Sequence, residues 1–439
     1  MTIEKTTESA GKIPRIEPVK RTFNVSEDFV RAIPKSDLHV HLDGSLRPET
    51  LVELARERNV KLPSETASGL METVFKERYA SLDEYLRGFS YTTAVLQDRE
   101  ALERVAYELA EDNYAEGVRY FEVRFAPQLH AHGGMDMSEV LRAVNRGLSR
   151  ATRRWNRRPE IVSQQEPEYT YAITVCALRY FDEKMSPYYA DFIRVHPYSP
   201  RTQLYSMGSL ELAQAAVAIR DHYGVPITGF DLAGRERGYP AEDHRPAYEF
   251  AHKNFMKKTV HAGEAYGPES IFQAITDLHA DRIGHGYYLL SPKMVKAPSI
   301  VDKEGYVRRL AEYIADRRIT VEVCLTSNLQ TNPHLKDLGQ HAFKDMRAMR
   351  LSTTLCTDNR LVSRTSVTRE VTLAIKHFGL SSRELRQIII YGFKRSFYPG
   401  SYTQKRSYVR RIIDFYTEVE KAHMPPGGFW GVKEDGKDI

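Results

Sequence analysis

Cysteine is scarce in this sequence: three copies occur among 439 residues, at Cys176, Cys324 and Cys356, and no CxxC motif is present. An odd number of widely spaced cysteines argues against a disulfide framework or a cysteine-rich zinc site. Two of the three lie in apolar, strand-like runs, which is typical of buried and unreactive thiols. We therefore expect a reducing compartment and a cytoplasmic protein.

Long apolar runs are absent as well. No stretch reaches the roughly 18 apolar residues of a membrane-spanning helix, and residues 1–21 are polar, without the apolar core of a signal peptide. We expect no membrane partner. Residues 1–21 are expected to form a polar arm and residues 22–424 one folded domain that ends in an amphipathic helix. Residues 425–439, which begin with two prolines and two glycines, are expected to form a tail.

An excess of one charge is missing too. The chain carries 63 lysines and arginines against 58 aspartates and glutamates, a formal net charge of +5. This balance gives no electrostatic reason to expect a nucleic-acid partner. One stretch is rich in arginine, and we interpret it as the solvated face of a helix rather than as a polyanion site: Arg146, Arg150, Arg153, Arg154, Arg157 and Arg158.

Short β-rich runs recur along the chain, with amphipathic stretches such as 100–116 and 210–223 between most of them. Strands that alternate with helices imply parallel strands and crossover connections. Eight such units predict an α/β fold, a (β/α)8 TIM barrel with long βα-loop insertions and a C-terminal helical tail. The eight predicted strands are Asp37–Leu42, Val118–Phe125, Tyr171–Ala177, Ile227–Leu232, Lys258–Ala262, Asp281–His285, Thr320–Leu325 and Ser352–Thr357.

Polar residues able to bind a metal stand at the ends of these strands, where a barrel of this kind places its active site. His39 and His41 are two apart on the first strand, so both imidazoles point to the same face. His261 ends the fifth strand, and Asp358 follows the eighth, which neighbours the first in a closed barrel. Three histidines and one carboxylate suit Zn²⁺ or a similar divalent ion, which lowers the pKa of a bound water to about 7.

Two further polar groups are expected at the same end of the barrel. Glu264 lies three residues beyond His261, where the chain turns from strand towards helix, and can face the metal site or a substrate. His285 ends the sixth strand between two glycines. A histidine in that place is either a core residue bonded to backbone or a functional group, and its position at a strand end favours the second interpretation.

One segment identifies a family resemblance. Residues Pro34–Thr50 read PKSDLHVHLDGSLRPET, which resembles the opening motif of the adenosine deaminase family. Later segments resemble the family's other motifs in the same order, over a span that reaches about Tyr398: Glu116–Pro127, Asp231–Gly234, His261–Glu264, Arg282–Gly286, Ser327–Asn328 and Thr357–Asp358. The absence of PCxxC separates the chain from the unrelated zinc deaminases that act on flipped bases.

The resemblance implies a role for each matching position. It implies one zinc ion held by His39, His41, His261 and Asp358, with Asp231 as support behind the ligands. Glu264 would protonate purine N1, while His285 and Asp358 would act on the attacking hydroxide. The implied substrate contacts are His41, Asp43 on the ribose side, Gly234 through its N–H to purine N3, and Asn359 near N7. The fourth strand lacks the lysine of binuclear barrel hydrolases, which also favours a single ion.

The sequence departs from the family pattern in two places. Asn359 stands where the family commonly has a second aspartate; an amide N–H can donate to N7 directly, so we expect a tolerated variant with altered preference between substrates. The segment 178–209 is long and aromatic, so it forms either a lid or a short helix packed on the surface. Its cationic residues are either a phosphate site or solvated surface charges: Arg179, Arg194, His196 and Arg201.

The expected function is hydrolytic deamination of adenosine or 2'-deoxyadenosine to inosine and ammonia. The first alternative keeps this chemistry and changes the substrate to AMP, cyclic AMP or another 6-aminopurine. Two other classes are a metal-dependent phosphoesterase barrel, which also uses HxH on its first strand, and a non-catalytic nucleoside-binding protein. The sequence predicts a small-molecule partner and leaves the oligomeric state open.

Overall fold

The computed structural model describes residues 25–423. The predicted polar arm at residues 1–21 and the tail at 425–439 lie outside the described residues. Eight strands occupy the predicted places in the described part, and their ends differ from the predicted ones by at most two residues. They are β1 (Lys35–His41), β2 (Val118–Phe125), β3 (Thr170–Leu178), β4 (Ile227–Ala233), β5 (Lys257–Ala262), β6 (Arg282–His285), β7 (Thr320–Val323) and β8 (Thr353–Leu355).

Helices connect these strands and extend the chain beyond β8. Within residues 25–423 they are α1 (Glu27–Ala32), α2 (Pro48–Glu57), α3 (Ala67–Thr73), α4 (Leu82–Leu86), α5 (Phe89–Val95), α6 (Arg99–Ala115), α7 (Met137–Trp155), α8 (Pro159–Val162), α9 (Pro187–Val195), α10 (Arg201–Tyr223), α11 (Arg245–Lys253), α12 (Pro268–Thr276), α13 (Lys303–Arg317), α14 (Leu325–Thr331), α15 (Phe343–Ala348), α16 (Val367–Phe378), α17 (Ser382–Arg395) and α18 (Tyr402–His423). The predicted C-terminal amphipathic helix is therefore present as α18.

The eight strands are parallel and follow one another in chain order around the sheet. A parallel bridge joins β1 to the segment after β8: the N–H of His41 donates to the carbonyl of Asp358, and the N–H of Asp358 donates to the carbonyl of His39, each at 2.7 Å. The (β/α)8 barrel prediction is confirmed. The bridge sets Asp358 directly against the strand that carries both histidines.

Charged side chains fill part of the barrel interior, beneath the ends of the strands. Arg124 from β2 donates to Asp231 from β4 at 2.8 Å and to Glu322 from β7 at 2.9 Å, and Arg282 from β6 donates to Glu322 at 2.6 Å. All four side chains are fully buried. Although burial alone would raise it, the pKa of Glu322 is held well below its usual range by the two guanidinium groups. These ion pairs cross-link four strands.

The long segment 178–209 packs as a small aromatic unit on the barrel. Phe181, Tyr189, Leu204 and Tyr205 form their own buried cluster, and the rings of Phe181 and Tyr189 stack at 4.1 Å. Gln128 anchors the unit, since its carbonyl accepts from Ser186 at 2.8 Å and its amide oxygen accepts from Tyr189 at 3.0 Å. Of the two interpretations that the sequence allowed, the structure shows the packed helix, which is α9.

The arginine-rich stretch lies on α7 and the turn that follows it. Arg146 and Arg150 both pair with Glu103, at 3.0 and 2.8 Å, and Arg154 pairs with Glu111 at 2.6 Å. These arginines are exposed, so the stretch is a solvated helix face whose charge is partly balanced by α6. Among the described residues, no helix is both long enough and apolar enough to cross a membrane.

The buried ion pairs predict a strong dependence of stability on Arg124. We expect Arg124→Met to lower the free energy of unfolding by about 3–5 kcal/mol, because it leaves Asp231 and Glu322 without their shared cation in the barrel interior. Urea denaturation monitored by circular dichroism measures this loss. Arg146→Met is the matched control, and its effect should stay within about 0.5 kcal/mol since that arginine is exposed. A loss at Arg124 no larger than the control's would contradict the account.

Candidate metal and catalytic site

Four side chains meet at the carboxyl end of the strands. The ligand atoms of His39, His41, His261 and Asp358 all lie within 4.8 Å of one another. Nε2 of His41 lies 3.1 Å from Nε2 of His261, and Oδ1 of Asp358 lies 3.3 and 3.5 Å from Nε2 of His39 and His41. The structure therefore brings together the four residues that the sequence singled out, from β1, β5 and the end of β8.

Two buried carboxylates orient the rings of this cluster from behind. Nδ1 of His39 lies 2.8 Å from Glu322, and Nδ1 of His261 lies 3.1 and 3.2 Å from the two oxygens of Asp231. Each carboxylate accepts the Nδ1 proton, which leaves the Nε2 lone pair directed at the cluster. Nε2 of His39 makes no hydrogen bond although it is buried. Histidines that bind metals are held by carboxylates in this way.

Two of the three imidazoles in the cluster have the neutral form that binds a cation. Burial lowers the pKa of His41 well below its ordinary value and also lowers that of His261, so both rings are neutral near pH 7. Burial alone would raise the pKa of Asp358, but His39, whose Nε2 lies 3.3 Å from Oδ1, and the other nearby histidines hold it well below its usual range. Three imidazole nitrogens and one carboxylate form a donor set that fits one divalent ion of the zinc type.

The backbone of Asp358 adopts an unfavourable conformation that contacts with its neighbours must stabilise. Its φ angle is 61°, and that of His285 is 63°, in the left-handed region that residues other than glycine rarely adopt. Ser327, in the first turn of α14, donates to Oδ2 of Asp358 at 2.6 Å and leaves Oδ1 facing the histidines. Backbone strain of this kind is concentrated at functional sites in proteins.

Glu264 and His285 face each other beside the cluster. Oε2 of Glu264 lies 3.7 Å from Nε2 of His285, and both side chains lie within reach of Asp358. Burial raises the pKa of Glu264 well above its ordinary value, and the charges of Asp358 and Glu236 raise it further, which favours the protonated carboxyl group. Burial lowers the pKa of His285 well below its usual value. The two shifts therefore favour a neutral acid beside a neutral imidazole.

Glu236 is a functional residue that sequence reasoning missed. Its carboxylate accepts the backbone N–H groups of four consecutive residues, Gly263 to Tyr266, at 2.6, 3.2, 2.7 and 2.9 Å. Successive N–H groups in a turn form a concave site for an anion. Gly263 has a φ of +70°, and a Cβ there would come within 2.5 Å of Ile271, so the turn needs glycine. The contact holds the segment that carries Glu264 in place.

Glu322 and Arg124 were also missed, although the sequence carried a signal for both. Each is a charged residue inside a short strand that is otherwise apolar or buried, and such residues are rare without partners. Their partners lie on different strands, which the sequence alone does not pair. The structure places both behind the metal-facing histidines.

Three other predicted residues lie after strand ends at the same face of the barrel. Asp43 is buried, its Oδ1 has no hydrogen-bond partner, and burial raises its pKa to about 7. Gly234 has a φ of +95°. Asn359 donates through Nδ2 to Tyr85 at 2.7 Å, and its Oδ1 is buried without a partner. Buried polar atoms without partners at a site are typical of groups that a ligand completes.

The interpretation of Arg179 as a solvated surface charge is wrong. The side chain is only 1% exposed, and it donates to the carbonyls of His261 at 2.9 Å and Tyr239 at 2.7 Å. A guanidinium group removed from water at this depth needs hydrogen-bond partners, and these carbonyls supply them. The bond to His261 in turn supports the end of β5. Arg194 and Arg201 are exposed and pair with Asp191 and Glu183, at 3.0 and 2.6 Å, as surface charges do.

Comparison with known proteins places the chain in a family. The profile of the family described as adenosine deaminase matches residues 34–185 and 201–414. The adenosine deaminase 1 of Streptomyces coelicolor is 36% identical over 398 residues, which cover 90% of each chain. The structure of the N6-methyl-AMP deaminase from Arabidopsis thaliana has a TM-score of 0.65 and 25% identity, over 89% of this chain and 98% of that one.

A third protein shares the fold at lower identity. An amidohydrolase of Burkholderia ambifaria, solved with bound zinc, has a TM-score of 0.70 and 19% identity, over 94% of this chain and 98% of that one. At this identity the likeness extends to the fold alone. From the matched residues and the coverage of the Streptomyces relative, we conclude that the chain belongs to the adenosine deaminase family and is a hydrolase acting on C–N bonds.

Proposed function

We propose that the protein catalyses the hydrolytic deamination of adenosine or 2'-deoxyadenosine to inosine or deoxyinosine and ammonia. The observation that carries the proposal is the position of the Glu264 carboxyl group, 3.7 Å from His285 and beside a cluster of three histidines and Asp358. Burial raises the pKa of this carboxyl group, which favours its protonated form. This arrangement pairs an acid for the purine ring with a site that can activate water. The Streptomyces relative is named for the same reaction.

The metal is proposed to be one zinc ion, held by His39, His41, His261 and Asp358. The support is the donor set itself, in which each ligand atom faces the others and two imidazoles are fixed by Glu322 and Asp231. A zinc ion in such a site lowers the pKa of a water molecule to about 7, so that a hydroxide nucleophile is available at neutral pH. The remaining steps of the reaction are proposed for the protein's own side chains.

Glu264 is proposed to donate its proton to N1 of the purine as water adds at C6. Protonation of N1 makes the loss of ring aromaticity accessible, and general acid catalysis of this kind contributes about 10²–10⁴-fold. His285 orients the attacking oxygen through Nε2, and Asp358 receives a proton from that oxygen. Asp358 passes this proton to the amino group, the C6–N bond breaks, and ammonia leaves a 6-oxopurine behind. The second proton of the water restores that of Glu264. Burial of the site limits access of other water molecules.

The substrate contacts are proposed from the positions at the strand ends. The unpartnered oxygen of the buried Asp43 is suited to a ribose hydroxyl. One N–H of the Asn359 amide donates to Tyr85, and the second N–H is the donor that N7 of the base requires. Gly234 offers its backbone N–H to N3, and the His41 ring borders the same cleft. The proposed residue roles all belong to one hydrolase domain, residues 22–424. Three buried free thiols support a reducing, cytoplasmic setting.

A nucleotide substrate is the second candidate, because the Arabidopsis neighbour is named for N6-methyl-AMP. The cationic residues of the segment 178–209 do not support a nucleotide substrate. The guanidinium of Arg179 already binds two backbone carbonyls, and Arg194 and Arg201 pair with acidic residues at the surface. A nucleoside is therefore favoured over AMP.

Ammonia release from five compounds tests the proposal: adenosine, 2'-deoxyadenosine, adenine, AMP and cyclic AMP. We expect kcat/KM to be highest for one of the two nucleosides, by about tenfold or more over AMP, since a phosphate buried without a free cation costs at least about 1.4 kcal/mol. A preference for AMP would establish the nucleotide candidate. Absence of ammonia from all five compounds would refute deamination of either class.

The role of Glu264 predicts a selective loss of turnover. Glu264→Gln should reduce kcat by about 100-fold or more, because the amide cannot give up a proton to N1, while metal content and purine binding change little. Steady-state kinetics, metal analysis and calorimetry with inosine measure the three quantities. Glu304→Gln, at an exposed position of α13, is the matched control and should behave as the wild type. Wild-type turnover in the Glu264 variant would remove the proton-donor role.

A further inference from the structure

A chain of three buried side chains runs from a backbone N–H to His285. The N–H of Phe343 donates to Nδ1 of His341 at 3.0 Å. Nε2 of His341 lies 3.1 Å from Oδ1 of Asn328, and Nδ2 of Asn328 lies 3.1 Å from Nδ1 of His285. His341, Asn328 and His285 are each 1% exposed. Neither the family motifs nor the roles proposed above include His341.

The polarity of this chain follows from its first member. A backbone N–H can only donate, so Nδ1 of His341 must accept and the ring proton sits on Nε2. The Nε2–H group of His341 donates a hydrogen bond to Oδ1 of Asn328, and this bond fixes the orientation of the amide. The Nδ2 group of Asn328 then donates to Nδ1 of His285, so the proton of His285 sits on Nε2, the nitrogen that faces Glu264 at 3.7 Å.

The first ring is held so that this polarity persists. The rings of Tyr287 and Phe378 pack edge-on against His341, with centroids at 5.0 and 6.5 Å. Burial lowers the pKa of His341 to about 3, so the ring keeps a single proton across the neutral range. A charged His341 would donate from both nitrogens and would oppose the Phe343 N–H.

We propose that His341 and Asn328 are positioning residues that place the proton of His285 on Nε2, and that they set the catalytic form of His285 without touching substrate. The inference rests on the proposed function of His285 and goes beyond it, because it states which nitrogen carries the proton and what holds it there. With the proton on Nε2, His285 approaches the reacting oxygen as a donor; with the proton on Nδ1, the same nitrogen is an acceptor.

The proposal is tested directly by nitrogen NMR of the metal-loaded protein labelled with ¹⁵N-histidine. The resonances of His285 are assigned by their loss in His285→Asn. We expect Nε2 of His285 to be protonated and Nδ1 to be unprotonated in the wild type. In His341→Leu the amide of Asn328 is no longer held, so the form with the proton on Nδ1 should become populated.

Kinetics of the same variants give the second readout. We expect His341→Leu to lower kcat by about 100-fold, the lower end of the range for acid–base groups, with KM and metal content within about twofold of the wild type. His341→Gln should restore most of kcat, because its amide offers an acceptor to Phe343 and a donor to Asn328. His244→Leu is the matched control: this histidine is also 1% exposed but bonds to Ser209 outside the site. It should keep the wild-type kcat.

The outcomes separate this inference from the proposed function. A wild-type His285 with its proton on Nδ1, or a His341→Leu variant that keeps both the Nε2 form and the wild-type kcat, overturns the proposal. A loss of kcat in His341→Gln and His244→Leu equal to that in His341→Leu also overturns it, since the role would then be structural. The expected NMR result in a protein that deaminates no purine would leave the positioning intact and refute the proposed function instead.

Discussion

The guanidinium of Arg124 is the contact on which the site depends. It joins Asp231 from β4 to Glu322 from β7, and each of these carboxylates in turn binds Nδ1 of one metal-facing histidine. Two imidazole orientations are thus set by one cation. Without that cation the two carboxylates would repel each other in a region of low dielectric, and the ring tautomers would lose their partners.

The barrel makes this arrangement possible because it surrounds the charges on all sides with strand backbone. The ion pairs cost desolvation energy, and buried pairs are weak contributors to stability. Their contribution here is geometric: they fix which nitrogen of His39 and His261 points outwards. The His341–Asn328 chain does the same for His285 with neutral groups, and Glu236 holds the turn that carries Glu264 by its backbone. His39, His261, His285 and Glu264 are therefore each held by a buried group that does not itself face the site.

The sequence predicted the residues that face the site but not most of the residues that support them. Strand periodicity placed His39 and His41 on one face, and strand order placed Asp358 beside them, because both follow from local geometry and barrel closure. Glu236 and His341 gave no such signal, since their partners are backbone groups and residues distant in the chain. Arg179 was misread for the same reason: a lone arginine in a polar segment gives no sign that its partner is the carbonyl of His261.

The backbone conformation at Asp358 and His285 was also beyond the sequence. Their positive φ angles arise where each strand must end abruptly and turn its last side chain into the barrel mouth. Strand periodicity predicts the directions of side chains within a strand but not the backbone conformation at the point where the strand ends. The fold was therefore predictable to within one or two residues at most strand ends, whereas the geometry that makes those ends reactive came from the structure alone.

We propose that one divalent ion, held by three histidines and Asp358, enables deamination. Titration of zinc into metal-stripped protein, with ammonia release from adenosine as the readout, tests it most directly. We expect activity to rise linearly and reach its plateau at one ion per chain. His222→Ala, at an exposed position, should follow the same curve, and His261→Ala should show neither stoichiometric uptake nor recovered activity. Full activity in the metal-free protein, or a plateau at two ions per chain, would contradict the account.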